Sequence, residues 1–125
     1  VPEMVRYSGV KVNFTPVVLR SVFKGINTNI RVKLCERLSA MSESEAVTEL
    51  ENAIKSAYCD KDGVFVVRDS KECSYGTRFV NDTNNMCVKI NVEDGYAYIN
   101  SCIDNLGKGA AAQAVQNFKI MCGIE

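Results

Sequence analysis

Apolar and polar residues alternate most clearly in "INTNIRVKL", where Ile26, Thr28, Ile30, Val32 and Leu34 fall on one side and Asn27, Asn29, Arg31 and Lys33 on the other. That period of two predicts a strand in a sheet with one dry and one wet face. Upstream, "VKVNFT" alternates from Val10 to Thr15 and then meets Pro16, which predicts a shorter strand stopped by a residue without an N–H. Ser42 followed by Glu45 forms a capping-box pattern, and Ala46, Val47, Leu50, Ala53, Ile54, Ala57 and Tyr58 recur at helical spacing behind it. On that helix Glu49, Glu51, Asn52 and Lys55 read as a solvated face.

"CDKDG" reads as a turn. With Gly63 as the sixth position of a calcium loop, Tyr58 would stand where the first carboxylate belongs and Asp69 where a glutamate should close the shell. The segment "VFVVR", Val64 to Arg68, reads as a strand, and the polar stretch from Asp69 to Asn85 as a loop. "MCVKINV" and "YAYINSCI" flank Asp94-Gly95, a pair that favours a tight hairpin. A final helix starts near Lys108, carries Ala111, Ala114, Val115, Phe118, Met121 and Cys122 on one stripe, and stops at Gly123. About five strands and two helices, not strictly alternating, define an α+β domain with helices covering one face of a mainly antiparallel sheet.

A chain of 125 residues suits a single domain with its own core. It begins Val1-Pro2 without methionine, which points to a piece of a longer protein. Fifteen basic residues balance fifteen acidic ones, so there is no electrostatic footprint for nucleic acid, and no apolar run reaches membrane-spanning length. The amino terminus lacks the layout of a signal peptide.

Six cysteines and the sequons at Asn13 and Asn81 would suit a secreted, cross-linked chain. The wide cysteine spacing and their placement inside regular elements argue instead for buried free thiols. With no CxxC pair and no histidine, zinc has no ligand set. Lack of histidine also removes the usual proton-transfer side chain, so no Ser-His or Cys-His pair can be built within the chain. Neither GxGxxG nor a P-loop is present.

The segment "IDNLGKGAAAQAVQN" stands apart. A helix starting near Lys108 offers first-turn N–H groups to an anion or a ring amide, with Gly107 and Gly109 permitting close approach. The other reading is that the two glycines only serve the strand-to-helix turn and the alanines allow close packing.

These residues closely resemble the carboxy-terminal helix region of the N-acetyl-γ-glutamyl-phosphate reductase family, I-D-N-L-x-K-G-A-x-G-Q-A-x-Q-N. Asp104, Asn105, Leu106, Lys108, Gly109, Ala110, Gln113, Ala114, Gln116 and Asn117 match in place. Pro2-Glu3 resembles the P-E after the family's catalytic histidine, Phe14-Thr15-Pro16 its F-T-P, and Gly25-Ile26 its R-G-I. The resemblance implies the substrate and oligomerisation domain, residues 1–125, of a two-domain cytoplasmic enzyme using NADP. Such an enzyme reduces an acyl phosphate to a semialdehyde through a thioester, in arginine biosynthesis. It implies a homo-oligomer and a dinucleotide-binding domain outside this chain, carrying the nucleophilic cysteine; the histidine would precede Val1, so no catalytic residue is expected here. Asn105, Lys108 and Gly109 would face the cofactor, and Lys24, Thr83 and Asn84 the substrate. Two departures bear on the substrate. Val17 replaces a histidine, and Asn81-Asp82 replaces an arginine-glycine pair, exchanging a bidentate cation for an amide beside a negative charge. These departures favour an alternative: a non-catalytic binding or oligomerisation module descended from such a domain.

Overall fold

A computed structural model describes residues 2–18, 23–58, 63–68 and 75–124. Its elements are helix α1 (Pro2–Ser8), strand β1 (Ile26–Lys33), the short helix α2 (Glu36–Ser39), helix α3 (Glu43–Ala57) and strand β2 (Val64–Val66). After these come α4 (Thr77–Val80), β3 (Met86–Glu93), β4 (Tyr96–Ile103), a π-helical turn (Gly107–Ala111) and α5 (Ala112–Cys122). The strands form one sheet in the order β1-β4-β3-β2. β1 and β3 both run antiparallel to β4, and β2 runs parallel to β3. The class is the expected α+β, with four strands among the described residues instead of about five. The missing strand is "VKVNFT", which has no regular structure.

The hairpin forms as its sequence requires. Asp94 and Gly95 sit at φ 49° and 75°, both left-handed, so the turn's twist matches that of β3 and β4. The capping box is also present: the Glu45 N–H donates to Ser42 Oγ (3.3 Å), and the Ser42 N–H donates to Glu45 Oε2 (3.0 Å). At the other end of the chain Gly123 takes φ 64° and closes α5.

Two apolar clusters hold the sheet. Leu34, Leu38 and Ala97 pack with Met41, Leu50, Val92 and Ile99 on the face that carries α3. Val80, Cys87 and Cys102 pack with Val67 and Tyr75. Ala97 and Cys102 are five residues apart on one strand, so by the period of two these clusters lie on opposite faces. The two long helices, α3 and α5, lie on one face as expected, and the single turn α4 sits on the other. That turn lies within the stretch read as loop: Thr77–Val80 coils because Val80, fully buried, must reach the Cys87–Cys102 pair.

Three further expectations change. β1 is an edge strand, and α3 packs on β3 and β2 at the other side of the sheet, so the apolar side of β1 at Ile26, Ile30 and Val32 stays exposed. The α5 stripe also faces outward: Val115, Phe118 and Met121 are exposed, Met121 by 85%. Finally, Glu51 is not part of a solvated face but buried, 3% exposed, because Arg68 donates to both its oxygens (2.9 and 2.8 Å). Replacing Arg68 with methionine leaves that carboxylate buried without its fork, and the melting temperature is expected to fall by about 10 °C; Arg68→Lys, unable to form two parallel bonds, should recover only part of it.

Cys87 and Cys102 are buried thiols as expected, whereas Cys35 and Cys122 are exposed. Cys59, Cys73, most of the "CDKDG" turn and residues 69–74 lie outside the described residues. Among the described residues no helix is long and apolar enough to cross a membrane.

Candidate functional site at the entrance of the last helix

The end of β4 runs directly into the last helix, and Asp104 governs the junction. Its carboxylate is buried, 2% exposed. Oδ1 accepts the N–H groups of Leu106 (2.8 Å) and Gly107 (3.1 Å), and Oδ2 accepts that of Asp82 (2.8 Å). One side chain thus takes up two N–H groups at the helix entrance and fastens the loop between α4 and β3 to it. The Asp82, Leu106 and Gly107 N–H groups hold the Asp104 carboxyl below its ordinary pKa against the opposing effect of burial, with Lys24 adding to the lowering.

The π-helical turn follows from this anchoring. The Gly109 N–H reaches back five residues to the Asp104 carbonyl (2.8 Å), widening the first turn. A Cβ on Gly107 would stand 2.9 Å from the Thr83 carbonyl oxygen, and one on Gly109 would stand 3.1 Å from Ile103 Cδ1 and 3.2 Å from the Asp104 carbonyl oxygen. The glycines flanking Lys108 therefore let the helix start press against the chain's own backbone. The N–H groups of Leu106, Gly107 and Gly109 are consumed internally, so the anion cradle read from the sequence is filled by Asp104 itself.

Of the residues singled out from the sequence, Lys24, Asp82 and Asn105 come together. Lys24 Nζ donates to Asp82 Oδ1, which keeps the lysine above its ordinary pKa, chiefly through that bond. Beside it, the Gly25 N–H donates to Asn105 Oδ1 (2.7 Å), joining segments 80 residues apart. With its oxygen engaged, Asn105 has Nδ2 as the end that can address a ligand. Thr83 and Asn84 lie alongside, since a Gly107 Cβ would also meet Asn84 Oδ1 at 3.6 Å. The Thr83 hydroxyl, however, serves its own turn, donating to the Val80 carbonyl (2.7 Å) and accepting from the Asn85 N–H (3.1 Å).

Lys108 departs from the group. Its Nζ donates to Gln116 Oε1, and it lines a cleft of about 510 Å³ between the sheet, α3 and α5, with Ile30, Ile99 and Gln113 among the walls. Sequence reasoning missed Asp104, though the Asp-Asn-Leu run after a strand carries the signal of an N-cap. Asn81, noted in the sequence only for what it replaces, has its Oδ1 buried with no hydrogen-bond partner, at 3.4 Å from where a Gly25 Cβ would stand. Among the described residues no group of three or more Cys, Asp or Glu side chains could hold a metal ion.

The four-stranded sheet and the helices packed on it make an α+β domain, and its class follows from the family match. The chain belongs to the semialdehyde dehydrogenase dimerisation domain family, whose pattern matches residues 1–105. It is similar to N-acetyl-gamma-glutamyl-phosphate reductase of Rhodopirellula baltica, 32% identical over 122 residues, covering 98% of this chain and 33% of that protein. The same enzyme from Aquifex aeolicus is 37% identical over 117 residues, covering 92% of this chain and 30% of the relative. The chain thus spans about a third of the length of the curated relatives it matches.

Proposed function

We propose that this chain is the substrate-facing and oligomerisation domain of an NADP-dependent reductase that converts N-acetyl-γ-glutamyl phosphate to its semialdehyde in the cytoplasm. The observation that carries the reading is the Asn105–Gly25 bond, which sets a carboxamide donor and a lysine side by side at the start of the last helix. The named relatives support the substrate, and the family's dimerisation role supports a homo-oligomer.

The residues fit the cofactor in part. Asn105 Nδ2 suits the carboxamide oxygen of a nicotinamide, which when bound supplies the hydride. Lys108, engaged with Gln116 in the cleft, and Gly109, its N–H spent on Asp104, do not fit the cofactor contacts expected of them. In this reading Asn105 orients the nicotinamide, Asp104 keeps Asn105 in place, and Lys24 and Asn84 border the substrate. The nucleophilic cysteine and the histidine come from the rest of the polypeptide.

The test compares the full-length protein with the 125-residue chain. The full-length protein should oxidise NADPH in the presence of the acyl phosphate, and the chain alone should not. In the full-length protein, Asn105→Ala should raise the KM for NADPH about tenfold, the worth of one well-placed hydrogen bond. Turnover by the chain alone, or none by the full-length protein, would overturn the reading. A second reading, a non-catalytic assembly module, is favoured by the engagement of Lys24 with Asp82, which leaves that lysine's charge already answered. Absence of turnover together with stable dimerisation would select it.

A further inference from the structure

We infer that Asp82 is a specificity-determining residue, a counter-ion built into the loop that occupies Lys24 and must be displaced before a carboxylate or phosphate group can bind there. The two partners differ in setting: the Lys24 side chain is sheltered, 26% exposed, whereas that of Asp82 is 77% exposed. The cation is therefore the fixed half of the pair and the carboxylate the half that a dissolved anion can reach and replace.

The backbone shows that this placement is imposed. Asp82 sits at φ 61°, in the left-handed region that aspartate enters more readily than most residues with a Cβ but still at some cost relative to glycine. Its N–H is held there by the buried Asp104 carboxylate (2.8 Å). A strained residue, pinned from inside, aims its short acidic side chain at the lysine beside the Asn105–Gly25 bond. Glycine would take the same backbone without strain and without a charge, so nothing in the loop's geometry requires an acid. The aspartate both neutralises Lys24 and repels an approaching anion.

The inference deepens the proposed function and rests on the reading of this site as substrate-facing, but its test uses no turnover. Full-length wild-type protein and its Asp82→Gly variant are melted across titrations of inorganic phosphate and, separately, of acetate, at matched ionic strength in chloride. An anion that binds the folded state raises the melting temperature by mass action. Asp82→Gly should respond at about tenfold lower anion concentration than the wild type, and the double variant with Lys24→Met should lose the response. The stronger of the two titrations tells whether the position suits a phosphoryl or a carboxylate group. Should Asp82→Gly fail to fold, Asp82→Asn, which keeps the side chain's size but not its charge, should shift the response in the same direction. Equal responses in wild type and variants, or a response that survives Lys24→Met, would overturn the inference. Loss of NADPH oxidation with the anion response intact would overturn only the reductase reading.

Discussion

Asp104→Ala is expected to lower the melting temperature by on the order of 10 °C and to uncouple the loop at Asp82 from the last helix, because three backbone N–H groups lose their shared acceptor at once. Asp104→Asn should recover only part of the loss, since its one carbonyl oxygen cannot span both the Asp82 side and the Leu106–Gly107 side. The pH dependence separates the charge from the shape. The carboxyl's pKa is depressed in the folded state by those N–H groups, so its stabilisation is fully present above the unfolded value of about 3.9. It is lost as the pH falls through the lower folded value. Melts from pH 7 down to strongly acidic solution should therefore show a gap between wild type and Asp104→Asn that is constant above pH ~4 and closes below it. A gap that persists unchanged in acid would mean that the ionised carboxylate is not what holds the junction.

What the sequence made legible were features decided within a few residues of chain. Asp94-Gly95 specifies a turn whose two residues are both left-handed, and Ser42 with Glu45 closes a capping box within one helical turn. Both could be read because the partners are sequence neighbours. Glu51 could not: its position on α3 falls on the polar side by periodicity, and only the arrival of Arg68, 17 residues later, explains why it is buried. The same limit applies to Lys108. Its spacing between glycines allowed two readings, an open helix entrance or a close strand-to-helix turn, and only the Thr83 and Asp104 backbones pressing on the glycines decide for the second.

The apolar stripe of α5 failed in a different way. Val115, Phe118 and Met121 do recur at helical spacing, but spacing cannot say whether the covering surface belongs to this chain. The helix lies with Gln113, Gln116 and Lys108 toward the cleft and the stripe outward. The exposed apolar side of β1 is of the same kind. At the candidate site the resemblance carried the position of Asn105 and Lys24 in the chain. That Gly25 joins the first to the neighbour of the second is a tertiary fact spanning 80 residues, outside the reach of any local pattern.

Gly25 is the position where the fold and the site are least separable. Its φ of 114° lies in a region that residues with a Cβ rarely adopt, and an added Cβ would stand 2.8 Å from Thr77 Cγ2 and 2.9 Å from Thr77 Cβ. Gly25→Ala therefore combines backbone strain with a clash against the first residue of α4, and is expected to cost about 3 kcal/mol in chemical denaturation. Relief by rotating the backbone would break the N–H bond to Asn105, so on the proposed reading of Asn105 the surviving folded fraction of the full-length protein should also show a raised KM for NADPH. Gly76→Ala is the matched control: its backbone is extended and nothing lies within 4 Å of its Cβ position, so stability should change by less than about 0.5 kcal/mol. If the two substitutions cost the same, Gly25 is not held by the contacts described, and the Asn105 carboxamide is positioned by something other than the Gly25 backbone.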